Sequence, residues 1–253
     1  MRSVALGLLC VISIASSAFA QAAGQAWGNV VVDWLQTNRT SYEVDLEPQG
    51  QVFVHEGQPT WGQLKATPRV TYALSRWVDV LGETEIAYRA QSDEVNSMTL
   101  TPRIGAELHI LSRILGEPGS HGVDNERVPR RRINFGTLVR LEHVNTMYST
   151  NALATSSWQV RDRFGFTYPF NRAKTTDDGA IYVVSDGEVF IPVDETVKGG
   201  AVKELRLRAG FGYRESFSWQ YEALYIWNGE RNAQSGAMAA SYHAIDVRVR
   251  RQF

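Results

Sequence analysis

Five histidines, His55, His109, His121, His143 and His243, are the side chains best matched to proton transfer near neutral pH. Glu142 and His143 are sequence neighbours, so on a strand they project to opposite faces and cannot form a dyad. No two histidines stand at metal-ligand spacing, and no metal or other cofactor is expected. A triad could still assemble from residues distant in sequence. Gly210-Phe211-Gly212 is no phosphate loop, because no helical pattern follows it. Arg130-Arg131-Arg132 could hold lipid phosphates at a membrane edge, or simply face solvent at the start of a strand.

Most of the remaining chemistry is charge, and its placement depends on the elements that carry it. The formal net charge is −1, which gives no support to a nucleic-acid partner. Of 26 basic residues, lysine supplies only Lys65, Lys174, Lys198 and Lys203. Arginine's planar fork suits packed ion pairs with carboxylates. Residues 1–20 combine Arg2, an apolar run from Val4 to Ala15, and a small-x-small ending at Ala18-Phe19-Ala20. That is the pattern of a secretory signal peptide cleaved after Ala20. The single cysteine, Cys10, lies inside it, so the exported chain is expected to lack thiols and disulfides.

From residue 21 to 253 one domain is expected, built from period-two alternation. Candidate strands fall near 28–36, 42–54, 62–74, 77–90, 97–111, 131–145, 157–170, 180–193, 203–214, 217–228 and 242–253. In "ELRLRAGFGY", Leu205, Leu207, Ala209, Phe211 and Tyr213 share one face, and Glu204, Arg206, Arg208 and two glycines share the other. Gly210 and Gly212 are expected to make room for large neighbours. Asp162 breaks the alternation, which suggests a bulge or a register shift.

The alternation fits a soluble barrel with its apolar parity inside or a membrane barrel with that parity outside. Long strands, many charges on the polar parity and an aromatic girdle favour the membrane. Trp219, Tyr221, Tyr225 and Trp227 share one face of "SWQYEALYIW". Eight residues there span roughly 26 Å along the strand, or about 20 Å along a membrane normal. The expected fold is an all-β, transmembrane, antiparallel up-and-down barrel of 10–12 strands. Both termini on one side require an even number, and twelve is preferred.

The lumen of such a barrel would collect Arg69, Glu83, Arg89, Arg103, Glu107, Arg140, Glu142, Arg161, Arg163, Glu188, Arg206, Arg208, Glu222, Arg248 and Arg250. Signs are nearly balanced. These side chains would either pair into a plug or line a narrow solute path.

The leader, the amphipathic strands and the terminal phenylalanine together resemble Gram-negative outer-membrane β-barrel proteins. "LVRLEH", "WQVRDRFGFTYPF", "SDGEVFIP", "ELRLRAGFGY" and "HAIDVRVRRQF" resemble a proteobacterial domain-of-unknown-function family of single-chain barrels. The resemblance implies an outer-membrane location, with outer-membrane lipids and the barrel assembly machinery as partners. It also implies an assembly signal at Ile245, Val247, Val249 and Phe253, from which Arg251 departs because an apolar residue is usual there. Outer-membrane phospholipases and lipid A deacylases resemble one another in placing a serine two residues after a histidine. Here those positions hold Gly57, Leu111, Val123, Asn145 and Ile245. A non-enzymatic barrel is therefore expected, either a narrow pore or a structural envelope protein. The alternatives are a lipid-modifying outer-membrane enzyme and a soluble periplasmic ligand-binding barrel.

Overall fold

The structure is a computed structural model that describes residues 23–53, 60–75, 77–92, 95–110, 134–149, 154–194, 200–232 and 235–253. Eleven strands form one closed barrel: β1 (Ala23–Leu35), β2 (Thr40–Phe53), β3 (Trp61–Ala73), β4 (Val78–Gln91), β5 (Ser97–His109), β6 (Asn134–Tyr148), β7 (Thr155–Pro169), β8 (Ala180–Pro192), β9 (Glu204–Arg214), β10 (Trp219–Arg231) and β11 (Met238–Gln252). Each is 11 to 15 residues long, well above the usual soluble strand.

The expected even count, with twelve preferred, is corrected to eleven among the described residues. In a closed ring of alternating strands an odd number forces one neighbouring pair to run parallel. That pair is β1 and β11, in continuous register from Ala23 opposite Tyr242 to Asp33 opposite Gln252; all other neighbours are antiparallel. The segment near 28–36 is thus a full barrel strand. Ala23 and Phe253 lie at opposite ends of the barrel, not at one. A twelfth strand could fall only in a connection such as the long stretch "LSRILGEPGSHGVDNERVPRRR" at 111–132, which, with Arg130–Arg132 inside it, lies outside the described residues.

Alternation sets the two faces. Val30, Leu46, Val70, Ile86, Ile104, Val139, Leu207, Phe211 and Val247 point outward and are exposed, while Asp79, Glu83, Arg103, Arg140, Glu142, Asp186, Glu188, Arg208 and Asp246 point inward and are buried. The interior also holds two small apolar clusters: Trp27, Ile226 and Ala244, and Tyr182, Val184 and Leu224. β10 is consequently apolar on both faces, where its sequence advertises only one.

Asp162 marks no bulge. Its pairing with Val139 and Val189 continues the register on both sides. Its side chain faces outward and accepts a 2.6 Å hydrogen bond from the Thr137 hydroxyl. Arg251, the departure from the terminal apolar pattern, lies with its guanidinium 4.8 Å from the Trp219 ring and 4.5 Å from the Phe253 ring. Stacking on aromatics lets this cation occupy a position where an apolar residue is usual.

Gly210 and Gly212 answer close approaches. A Cβ at Gly210 would sit 2.0 Å from the Ala223 carbonyl oxygen, and one at Gly212 would sit 2.1 Å from the Tyr182 ring. Tyr182 is buried and donates a 2.9 Å hydrogen bond to Glu222. Gly212→Ala is expected to displace this ring and cost about 1–3 kcal/mol by overpacking. The check is the urea midpoint of the folded form, which Tyr182→Leu in the same chain should partly restore.

Candidate functional site

Among the described residues, the larger groups of polar side chains are the lumen and a patch of the outer wall around His143. The lumen is a continuous ion-pair network knitted across several strands. Glu83 on β4 meets Arg69 on β3 at 2.5 Å, Arg103 on β5 at 3.3 Å and Arg140 on β6 at 2.9 Å. Glu188 on β8 meets Arg161 at 2.7 Å, Arg208 at 3.1 Å, Arg140 at 3.3 Å and Arg206 at 3.5 Å. Glu142 links Arg103 at 3.1 Å and Arg161 at 3.5 Å. Arg140, on β6, therefore ties β4 to β8 across three intervening strands, its own among them.

The side chains of Glu83, Glu142 and Glu188 have no solvent exposure, and Arg103 and Arg140 only 6 % and 4 %. Carboxylates lining an aqueous channel would remain wet, whereas these are packed against guanidinium groups. Each charge is costly to bury alone and tolerable only with its partners.

Further pairs extend the network toward both mouths. Arg163 and Arg208 share Asp186, Arg248 reaches Glu222 at 3.8 Å, and Arg250 bridges Asp33 and Glu43 at 3.0 Å each. Trp27 lies between two cations, with Lys65 and Arg206 each 5.4 Å from its ring. Arg89 packs 4.3 Å from the Trp61 ring. Asp79, Glu107 and His109 bring three potential ligand atoms within 4.8 Å of one another; the His109 Nε2–Asp79 distance is 2.7 Å. A search for paired histidines could not find this mixed cluster, because it joins β4 to β5.

Of the residues expected to form an assembly signal, Ile245, Val247 and Phe253 are exposed on the outer face, with Val249 on the same parity. Trp219, Tyr221, Tyr225 and Trp227 share the outward parity of β10; Tyr225 also hydrogen-bonds His243 at 2.5 Å. His55 and His121 lie outside the described residues.

The wall patch involves His143. Glu142 turns inward and His143 outward, so these neighbours do part to opposite faces. On the adjacent strand, Ser156 Oγ lies 2.7 Å from His143 Nε2. The Asn145 amide nitrogen lies 3.3 Å from Nδ1, and the imidazole stacks on Trp158 at 4.3 Å between centroids. The register that pairs His143 with Trp158 and Asn145 with Ser156 creates this cluster. No same-strand spacing reveals it.

Beside the patch, a groove of about 800 Å³ runs over the outer wall, bordered by Trp34, Tyr42, Val70, Ile104, Leu141 and Trp158. It follows one line of register through Tyr42–Val70, Val70–Gly82, Gly82–Ile104 and Ile104–Leu141.

A family model described as "Protein of unknown function (DUF2490)" matches residues 24–238, from the first strand to the start of the last. The chain belongs to the DUF2490 family. Comparison with curated proteins yields no match. For this DUF2490 member, then, the barrel and its two polar regions are the basis for assigning a role.

Proposed function

We propose that this DUF2490 protein is a bacterial outer-membrane barrel whose lumen is an ion-paired plug, and that it serves the envelope as a non-conducting structural element. The observation carrying this reading is the inversion of the two faces. The apolar parity, including Val30, Ile104, Phe211 and Val247, is exposed around the wall, while the charged parity is buried inside. A soluble ligand-binding barrel would turn the same parities the other way. Water would penalise such a wall; a bilayer would cover it.

The leader-like residues 1–20 and the terminal strand support export and assembly. Tight hydrogen-bonded turns at 36–39 and 215–218 lie at the end of the barrel that carries Phe253. The longest connection, from His109 to Asn134, leaves the same end, so the orientation follows from the terminal strand finishing at the periplasmic face and not from loop length. In that orientation β1 begins at the outer face, outer-membrane lipids contact the wall, and the assembly machinery reads β11.

The protein is expected in outer-membrane fractions, migrating faster on gels before heating than after. Deleting Phe253 should reduce the folded, heat-modifiable fraction several-fold. Recovery of the intact protein as a free species in periplasmic extract would overturn the assignment.

A further inference from the structure

We propose that Ser156, His143 and Asn145 form an acyl-ester hydrolase site on the outer wall, fed by the adjacent groove. The inference rests on the wall facing lipid, and its chemistry is separate from the lumen. Ser156 is exposed, and its hydroxyl is within 2.7 Å of an imidazole nitrogen, the distance of a nucleophile from its base. His143 is held on two sides: Trp158 stacks on its face, and the Asn145 amide meets its second nitrogen.

The same Asn145 amide nitrogen lies 3.3 Å from the His143 carbonyl and 3.4 Å from that of Leu100, both near the long limit. As placed, the amide nitrogen donates to Nδ1, so Nε2 carries the imidazole proton and donates to Ser156. Attack by Ser156 requires the amide to turn, giving up its two long contacts to carbonyls, so that its oxygen accepts from Nδ1–H and Nε2 accepts from serine. Asn145 is thus a positioning residue.

The groove supplies the substrate class. It crosses the wall from β1 to β7, six strand spacings or roughly 29 Å, and terminates at His143 and Trp158. Its outward-facing borders are apolar and aromatic, while Glu43, Arg69, Glu83 and Arg103 on the same strands pair with one another on the lumen side. Gly82 lies along it, and a Cβ added there would meet nothing within 4 Å. A long fatty acyl chain fits this combination: extended, apolar and joined to a polar head by an ester at one end.

Ser156 Oγ attacks the ester carbonyl carbon while His143 Nε2 takes the hydroxyl proton. Collapse of the tetrahedral intermediate breaks the bond to the alcohol oxygen, which leaves with that proton. Water then adds to the acyl-serine with His143 again as base, the acyl–Oγ bond breaks, and Oγ regains the proton. The products are a free fatty acid and a deacylated lipid.

The test uses the full exported chain, folded into vesicles, with each variant's fold verified by heat-modifiable migration. One arm presents diacyl phosphatidylethanolamine and a second presents purified lipid A; fatty-acid release is read in both. Release from either arm identifies the source of the acyl ester. Ser156→Ala and His143→Ala should each lower it by about 10²–10⁴-fold. Asn145→Ala should lower the rate and shift its pH profile, while Asn145→Asp should recover much of both. Gly82→Phe should lower the ratio of long-chain to short-chain rates. A phosphonate ester should label Ser156 in the folded protein and fail to label Ser156→Ala. Correctly folded, membrane-inserted protein that releases no fatty acid in either arm and takes up no phosphonate would overturn this inference, while leaving the membrane assignment intact. Failure to fold into membranes would instead overturn that assignment.

Discussion

Replacing Glu188 with alanine is expected to destabilise the folded barrel by about 3–5 kcal/mol, the cost of breaking a buried ion cluster from one side. Four guanidinium groups, from Arg140, Arg161, Arg206 and Arg208, lie within 3.5 Å of this carboxylate. Without it, Glu142 and Asp186 remain to share charges that reach β9. Alanine removes the negative charge and every acceptor atom together. Glu188→Gln keeps an acceptor and the side-chain volume, and should lose less. The measurement is the urea midpoint of the folded, heat-modifiable form for the wild type and both variants. An unchanged midpoint for Glu188→Ala would mean that water already screens the cluster and that the lumen is wetter than its packing implies.

A second large effect is expected on the opposite face. Ile104 lies near the middle of β5 and is 68 % exposed. In a bilayer Ile104→Arg places a cation at the hydrophobic midplane, a cost of about 2–4 kcal/mol. Leu108→Arg, on the same face but near the strand end, should cost only about 0–1 kcal/mol because the charge reaches the interface. In a water-facing wall the two substitutions would be nearly equal and nearly neutral. The depth dependence, read from unfolding in lipid vesicles, is therefore more informative than either value alone.

The strand pattern was readable because the side-chain period is two. Once Leu205, Leu207 and Phe211 shared a parity, Arg206 and Arg208 had to share the other. Eleven alternating segments were visible, and only the assumption that both termini lie together argued for ten or twelve. Closure through a parallel β1–β11 pair removes that constraint, and nothing within either strand signals which neighbour it will meet.

Inter-strand contacts were hidden for the same reason. Asp162 was conspicuous as an exception, but its partner Thr137 follows from the register between β6 and β7. His143 and Ser156 become neighbours only through that register, since they are 13 residues apart across a connection. Tyr182 and Leu224 likewise reveal the apolar filling of the lumen only after the ring is closed. Charged residues could be assigned to a face from sequence, whereas their pairing required the order of strands around the barrel.

The proposed role depends most directly on the barrel lying in a membrane with a closed lumen. Planar bilayers receiving purified, folded protein test both, provided that insertion is confirmed by protection of the wall from proteases and by heat-modifiable migration of recovered protein. The expected result is stable insertion with no steady conductance, because Glu83, Glu142 and Glu188 are sealed among arginines. Reproducible ohmic steps from inserted wild-type protein would contradict it and show that ions pass through the network.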